Sequence, residues 1–199
     1  MLIFAAPGHV CLDYANTLSW RGRETPAEKL YDLADVIGWI EIAAGMAGPA
    51  TREIRDWSRE HRKKAARMFA EAITMREVIF RIFSAFAAGE AVRSADFDAL
   101  RRALADAPGR CELASLEGRY AWRIERLDPA MPALLAPVLW SAGDLMLAAG
   151  QRLIRRCANP DCLWLFVDES RNGTRRWCDM TSCGNRAKAR RHYAKVRQA

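Results

Sequence analysis

Four cysteines near the end of the chain carry the clearest chemistry in the sequence. They form two pairs of equal spacing, Cys157-x4-Cys162 and Cys178-x4-Cys183, with fifteen residues between the pairs. Zinc prefers four ligands in a tetrahedron and binds cysteine thiolates at about 2.3 Å. The loop inside the first pair, Ala-Asn-Pro-Asp, forms turns readily, so that two sulfurs can face one ion. The spacing therefore predicts one structural zinc ion, with no open position for a catalytic water.

Three alternatives to a zinc site compete for these cysteines. Two disulfides would require an oxidising compartment, and nothing else in the sequence argues for export. Four unligated buried thiols are disfavoured because the cysteines cluster so closely. An iron–sulfur cluster also uses four cysteines, but the predicted hairpin and helix around them, and the absence of partner redox motifs, favour zinc.

The segments around the cysteines predict how the four thiols are brought together. Residues 164–167 form an apolar run with high β propensity. The tight turn Asn172-Gly173 then leads into residues 175–177, which return the chain to the second cysteine pair as a hairpin. Good helix formers without proline fill residues 187–197. A knuckle, a hairpin and a helix in this order are typical of a treble-clef-like zinc finger.

The motif Cys183-Gly184-Asn185-Arg186 resembles the one that names the CGNR zinc-finger family, and residues 156–196 as a whole are similar to that family. The resemblance also rests on Cys157-x4-Cys162, Trp164-Leu165-Phe166, Ser170-Arg171-Asn172-Gly173, Arg175-Arg176-Trp177-Cys178 and Ala187-Lys188-Ala189-Arg190-Arg191-His192. It implies that the four cysteines bind zinc in a small C-terminal finger.

A second, shorter resemblance lies near the start of the chain. Leu12-Asp13-Tyr14-Ala15-Asn16-Thr17-Leu18 resembles the Leu-Asp-Phe-x-Asn-Thr stretch of a domain called ABATE, with Tyr14 in place of the commoner phenylalanine. In the CGNR family this domain usually precedes the finger, and the proteins are described as stress-induced transcription regulators. The resemblance implies a DNA-binding transcription regulator whose N-terminal body senses a ligand or forms oligomers.

Charge is distributed unevenly along the 199 residues. Residues 152–199 hold twelve Lys or Arg and four Asp or Glu, a net charge of +8, whereas residues 1–151 hold nineteen and twenty, a net charge of −1. A basic surface attracts polyanions, and its coincidence with a zinc-ordered finger favours nucleic-acid binding over a solvated helix end. We predict two units, an ABATE-like helical body over residues 1–152 and a CGNR zinc finger over residues 153–199.

The predicted nucleic-acid contacts are basic residues of the finger, with duplex DNA as the expected partner. They are Arg171, Arg175, Arg176, Arg186, Lys188, Arg190, Arg191 and Lys195. Arg186, Arg190 and Arg197 fall near one helical face, which predicts a common contact surface. Two alternatives stay open. One is an RNA-binding protein that stacks bases on aromatic residues of the finger, Trp164, Phe166 and Trp177. The other is a small-molecule-binding or protein-interaction module in which the finger is only structural.

Hydrophobic periodicity predicts a mainly α body with one small β-hairpin, an α+β unit. Apolar residues recur at helical spacing through residues 51–88, the longest predicted helix. Thr25-Pro26-Ala27-Glu28 combines a capping box with proline at the first helical position, which predicts a helix start there. Residues 111–127 change to an alternating pattern typical of a hairpin. Pro137 is expected to bend the last body helix or to delay its start.

Polar residues interrupt an apolar stretch near the N-terminus. Asp13, Asn16 and Thr17 lie among apolar neighbours, and a buried polar group must find hydrogen-bond partners. They either tie neighbouring segments together, which is the favoured interpretation, or belong to a small-molecule pocket. The pocket hypothesis assigns its lining to Asp13, Asn16, Trp20 and Arg21 and its occupant to a small-molecule effector.

Catalysis and membrane insertion have little support in the sequence. It contains no phosphate loop, dinucleotide fingerprint or serine nucleophile motif, and none of its three histidines pairs in sequence with a nucleophile, so we expect no enzyme. No signal peptide is evident. The longest apolar run, residues 133–150, is broken by Pro137 and Asp144, whereas a membrane span needs about 20 mostly apolar residues. We expect a cytoplasmic protein without a membrane partner, and a homo-oligomer is a candidate state.

Overall fold

The computed structural model describes residues 2–4, 9–46, 48–116, 119–124, 128–148 and 153–196. Most of the described residues of the body are helical. Its helices are α1 (Val10–Ala15), α2 (Leu33–Ala43), α3 (Pro49–Glu60), α4 (Arg62–Ala88), α5 (Ser94–Asp106), α6 (Met131–Leu134) and α7 (Ala136–Leu147). Within the described ranges, no helix is both long and apolar enough to cross a membrane.

Helix α4 is the element around which the rest of the body packs. Its predicted apolar stripe is buried, and Ile79, Ile82 and Phe83 have no exposed surface. Burying a side chain of this size contributes about 1.5–3 kcal/mol, so the stripe accounts for a large part of the body's stability. Helices α1, α2, α3, α5 and α6 all contact α4. The helix ends at Gly89, whose φ of 71° lies in the left-handed region that favours glycine.

A three-stranded antiparallel sheet covers part of the helical core. Its strands are β1 (Leu2–Phe4), β2 (Glu112–Leu116) and β3 (Arg119–Arg123), in the order β1-β3-β2. The hairpin predicted from alternation is confirmed, with Ala114 opposite Ala121. Both of these alanines are buried, whereas Leu113 and Tyr120, which belong to the alternating apolar pattern, are exposed.

The capping-box prediction at Thr25-Pro26-Ala27-Glu28 is wrong. Helix α2 begins at Leu33 instead, and the side chain of Asp32 caps it by accepting a hydrogen bond from the Asp35 backbone N–H at 2.9 Å. The Glu28 carboxylate accepts hydrogen bonds from Arg76 at 2.7 and 2.8 Å. A distant partner therefore occupies the carboxylate that the capping box would use.

Two other helix boundaries test the sequence patterns. The single helix predicted over residues 51–88 is divided at His61, whose φ of −119° and ψ of 51° are not helical, so that α3 and α4 are separate. The expectation for Pro137 is confirmed, because α7 begins only at Ala136, after the single turn of α6, and places this proline in its first turn.

The C-terminal finger consists of two strands and two helical segments. Strands β4 (Leu153–Arg156) and β5 (Leu165–Asp168) are antiparallel, with Arg156 opposite Leu165. A π-helical turn over Met180–Gly184 leads directly into α8 (Asn185–Val196). The predicted class, a mainly α body with a small β-hairpin followed by a finger, is confirmed.

The predicted strand pairing within the finger is wrong. Strand β5 pairs with β4, which precedes the first cysteine pair, and residues 175–177 form no strand. The reason is tertiary packing, because Ile154, Leu165 and Val167 belong to the main apolar core of the body. The returning segment is held by Asp168 instead, whose carboxylate accepts a hydrogen bond from the Arg175 backbone N–H at 2.8 Å.

Candidate metal centre and nucleic-acid interface

The four cysteines predicted as ligands meet at one point in the finger. The Sγ atoms of Cys157, Cys162, Cys178 and Cys183 all lie within 4.8 Å of one another, and those of Cys162 and Cys178 are 3.6 Å apart. In a tetrahedron with Zn–S distances of about 2.3 Å, neighbouring sulfurs lie about 3.8 Å apart. The residues present therefore fit one zinc ion, and an all-thiolate set is typical of a structural site. The finger holds one structural zinc ion.

The first two ligands lie on a tight loop between β4 and β5, residues 157–162, here called the knuckle. The Cys157 backbone N–H donates to the Trp164 carbonyl at 2.8 Å, which continues the strand pairing to the ligand itself. The Cys162 N–H donates to the Asn159 carbonyl at 2.9 Å and closes the loop. Both thiols are buried, so the strand ladder places them inside the finger.

The second pair of ligands depends on a capped turn. The carboxylate of Asp179 accepts hydrogen bonds from the backbone N–H groups of Thr181 at 3.2 Å and Ser182 at 2.9 Å. This satisfies donors at the start of the π-helical turn that would otherwise be free. Cys178 precedes the cap and Cys183 lies in the turn, so a single cap fixes the backbone that carries both ligands.

The middle residues of the CGNR motif support the turn. Asn185 donates from its side chain to the Thr181 carbonyl at 3.0 Å and so braces the backbone of the turn. Gly184 lies close to the side chain of Met180. A Cβ at this position would lie 2.8 Å from the Met180 sulfur, and the three nearest atoms all belong to that side chain.

Asn159 links the knuckle to the C-terminal helix and was missed by sequence reasoning. Its side chain is buried, and Nδ2 donates to the Cys183 sulfur at 3.5 Å. Its Oδ1 accepts a hydrogen bond from the Arg190 guanidinium at 2.9 Å. Partners of this kind orient metal ligands and tune their basicity. The only signal for this role in the sequence is an asparagine between two paired cysteines.

The thiols interact strongly with one another. Hydrogen bonds from Cys162 and Cys178 lower the pKa of Cys157 to about 2, and donation to Cys157 raises the pKa of Cys162 to about 12. Three crowded thiols thus favour a single thiolate, whereas a dication at their centre stabilises all of them as thiolates. Cys11 lies outside the cluster, and burial raises its pKa to about 12.

The aromatic residues considered as RNA-stacking groups pack around the cysteines. Phe166 is buried in one cluster with three of the ligands, and Trp164 and Trp177 pack against that cluster. Trp20, from the body, packs against it as well. These rings supply the small apolar core of the finger, which leaves less of their surface for bases.

Asn16 joins the body to the finger. Its side-chain amide donates to the Leu165 carbonyl at 2.9 Å, and its Oδ1 accepts from the Leu165 N–H at 3.0 Å. Asn16 is buried, 149 residues away from its partner in sequence. The amide therefore pairs with strand β5 as another backbone segment would.

The loop after Asn16 makes close contact with the knuckle. The Gly22 N–H donates to the Asp161 carbonyl at 3.2 Å. A Cβ on Gly22 would lie 1.7 Å from the Pro160 carbonyl oxygen, so only glycine permits this approach. We call the contacts of Asn16 and Gly22 with the finger the body–finger joint.

Arg21 and Asp13 complete the set proposed as a pocket. Arg21 donates to Glu77 at 2.6 and 3.0 Å and to the Ala15 carbonyl at 2.9 Å, whereas Asp13 is exposed. Together with the contacts of Asn16, these bonds match the interpretation that the polar residues tie segments together. Two described cavities lie elsewhere, and neither is lined by Asp13, Asn16, Trp20 or Arg21.

A network of charged residues supports this part of the body. Arg76, which is 2 % exposed, bridges Glu28 and Glu77, and Glu77 also pairs with Arg21. Burial raises the pKa of Glu77, but hydrogen bonds and charges from Arg21 and Arg76 outweigh burial, so that its pKa lies below the usual value. The network fixes the segment that leads into the joint.

Four of the predicted nucleic-acid contacts have partners inside the protein, and one of them is Arg176, whose guanidinium lies 5.6 Å from the centroid of the Trp177 ring. Arg175 donates to the carbonyls of Trp177, at 2.9 Å, and Cys178. Arg190 donates to Asn159, as described above. The guanidinium of Arg186 lies over the Trp20 ring, 4.5 Å from its centroid. The helical face shared by Arg186 and Arg190 is therefore turned toward the knuckle and the body.

Exposure does not separate these residues from the other predicted contacts, because Arg171 and Lys188 are exposed and so are Arg175, Arg176, Arg186 and Arg190. Arg191 and Lys195 lie within α8, but their side chains, like residue Arg197, are outside the part of the chain that the structure describes. Positions 188, 191 and 195 follow helical spacing and share a face of α8 opposite to positions 186 and 190.

Comparison with known families accounts for both parts of the chain. Residues 8–149 match the family described as "Putative stress-induced transcription regulator", ABATE, and residues 153–196 match the CGNR zinc finger. The matches occur in the order that the sequence resemblances implied. No curated protein matches the chain.

Proposed function

Because the chain belongs to the ABATE family and carries a CGNR zinc finger, we propose that it is a transcription regulator whose finger binds duplex DNA. The zinc ion orders the finger, and basic side chains on the outer face of α8 contact backbone phosphates. The body positions the finger and receives the signal, as a ligand sensor or an oligomer. We expect no catalysis at the metal, since the four thiolates leave the zinc no open position.

The observation that carries the proposal is the division of α8 into two faces. Arg186 and Arg190 contact Trp20 and Asn159, so their face anchors the helix. Positions 188, 191 and 195 lie on the opposite face, and each is a lysine or arginine. A helix anchored on one side and basic on the other presents charge to a phosphate backbone in a fixed register.

The RNA-binding alternative has less support. Single-stranded RNA recognition relies on aromatic side chains whose faces are open to bases. Phe166 is 8 % exposed, and Trp164 and Trp177 pack against the cysteine cluster. Arg176 lies near the Trp177 ring, 5.6 Å from its centroid. Competition between a DNA duplex and a single-stranded RNA of equal length separates the two functions, and we expect the duplex to win.

Charge reversal on the two parts of the protein tests the proposal. The variant Lys188→Glu/Arg191→Glu changes the outer face of α8, and the control Arg101→Glu/Arg102→Glu makes the same charge change on two exposed residues of α5. Binding to a mixed-sequence duplex is measured across a salt series. The finger variant should reduce the salt slope by about one unit for each phosphate that it no longer binds, while the control keeps the wild-type slope. If both variants change the salt slope equally, the finger contributes only overall charge to binding, and the proposal is contradicted.

A further inference from the structure

A cavity of about 290 Å³ lies where the body meets the finger, away from the cysteines. Its walls come from the C-terminal end of α4, the loop that leads into α5, and Arg156 at the end of β4. Small-molecule sites begin at about 300 Å³, so the space suits a compact ligand. A ligand here would contact both parts of the protein at once, because Arg156 directly precedes the zinc ligand Cys157.

The positive charges around this cavity outnumber the negative ones. Arg81 and Asp96 pair with each other, with Nε 3.0 Å from one carboxylate oxygen and Nη2 2.5 Å from the same oxygen. This pair is neutral as a unit. The other charged residues of the lining are Arg93, Arg156 and Glu90, so that one positive charge is in excess. An anion with a single charge is therefore the complementary ligand.

The cavity also offers an apolar wall. Phe80 lies one helical turn before Ser84, and Ala85 and Ala88 also line the space. These side chains suit a small apolar group next to the anionic one.

From this arrangement we propose that the cavity is a binding site for a small monocarboxylic acid with an apolar body. The carboxylate faces Arg93 and Arg156. The apolar part packs on Phe80. The site is independent of nucleic-acid binding, because none of its lining residues belongs to the basic face of α8. By contacting Arg156 together with α4, the bound acid holds the finger against the body.

The test is calorimetric titration of the zinc-loaded full chain with acetate, benzoate and phenylacetate, and with inorganic phosphate as an anion that lacks an apolar part. We expect saturable binding of benzoate or phenylacetate with a Kd on the order of 1 mM, and weaker binding of acetate and phosphate. Arg156→Gln should weaken binding by about tenfold, which corresponds to one charge-assisted hydrogen bond. Arg62→Gln, an arginine that lines the other described cavity, should leave it unchanged.

A second variant guards against a change in the fold. Ala88→Trp fills the cavity from the exposed end of α4 and should abolish binding while the thermal midpoint stays near that of the wild type. If none of the three acids binds, or if Arg156→Gln and Ala88→Trp bind as the wild type does, the proposal is overturned. Phosphate binding as tight as that of benzoate would also overturn it, because the apolar wall would then have no role.

Discussion

The helical body and the zinc finger hold their folds in different ways. The body buries a continuous apolar core around α4, with residues such as Ile79 and Phe83 completely covered. The finger has a separate core of only three ligands and Phe166, with tryptophans packed around it. A core so small is insufficient on its own, so the finger depends on metal ligation and hydrogen bonds, where the body depends on burial.

The body and the finger are not stabilised independently, because residues of each contribute to the packing of the other. Ile154, Leu165 and Val167 belong to the finger strands, yet they pack in the core of the body. Asn16 and Gly22 belong to the body, yet they contact β5 and the knuckle. The finger is thus anchored by its strands and organised by its metal, and these two contributions can be separated by experiment.

Removal of zinc should have the largest effect and should be confined to part of the finger. Binding of structural zinc to small fingers contributes about 10–16 kcal/mol. After chelation we expect the knuckle and α8 to lose hydrogen-exchange protection, while β4, β5 and the body helices keep it because their apolar residues remain buried. Loss of protection throughout α4 would show that the metal supports the whole protein. Unchanged hydrogen-exchange protection in α8 would contradict a structural zinc site.

Truncation of Asn16 tests the body–finger joint. Asn16→Ala leaves the N–H and carbonyl of Leu165 without their partner, and each unsatisfied buried group costs about 1–3 kcal/mol. We expect urea unfolding to show a loss of about 2–4 kcal/mol in the free energy of unfolding. Asn172→Ala, at an exposed position on the loop after β5, is the control and should change stability little. If Asn16→Ala lowers the free energy of unfolding by no more than the control variant does, the joint does not hold the finger.

Gly22→Ala introduces a methyl group where the knuckle comes closest. Its Cβ would lie 1.7 Å from the backbone oxygen of Pro160, so loop and knuckle must separate, at a cost of about 1–3 kcal/mol. Gly38→Ala is the matched control, since its Cβ meets only Arg55 at 3.7 Å and lies within α2. Alanine is the better helix former by about 1 kcal/mol. The thermal midpoint should therefore fall in Gly22→Ala and rise in Gly38→Ala. A shift of both midpoints in the same direction would contradict the close contact at Gly22.

Arg190→Gln should have the smallest effect and should act on the metal site. It removes the guanidinium that holds Asn159 against Cys183, and loss of such a supporting partner typically costs 10–100-fold in metal affinity, or about 1.4–2.7 kcal/mol. Competition with a chromophoric chelator measures this change. Lys188→Gln, on the outer face of the same helix, removes an equal charge and should leave zinc affinity intact. If both variants release zinc equally, the effect is one of charge alone.

The features predicted correctly from sequence are those fixed by local pattern. The stripe of α4 and the existence of the β2–β3 hairpin follow from periodicity, and the zinc ligands follow from cysteine spacing. Pro137 marks the delayed start of α7 because its ring excludes it from a helix interior. In each case the residues nearby in sequence are sufficient to determine the structure.

The features that sequence reasoning missed depend on partners far along the chain. The Glu28 carboxylate pairs with Arg76, 48 residues away, rather than with its own capping box. Strand β5 pairs with β4 and not with the segment beyond the Asn172-Gly173 turn, because Leu165 is held by Asn16 and the body core. The bond of Arg190 to Asn159 also makes it a support of the metal site, a role that its prediction as a DNA contact does not include. No local pattern contains these pairings.

The central claim is that zinc orders a basic helix face which binds duplex DNA, and one measurement tests it most directly. Fluorescence anisotropy of a labelled mixed-sequence duplex is recorded with the zinc-loaded protein, after chelation, and after zinc is restored. The account predicts salt-sensitive binding that is lost on chelation and recovered with zinc, while the helical circular dichroism of the body persists. Equal binding with and without zinc, or no binding at low salt, would contradict it.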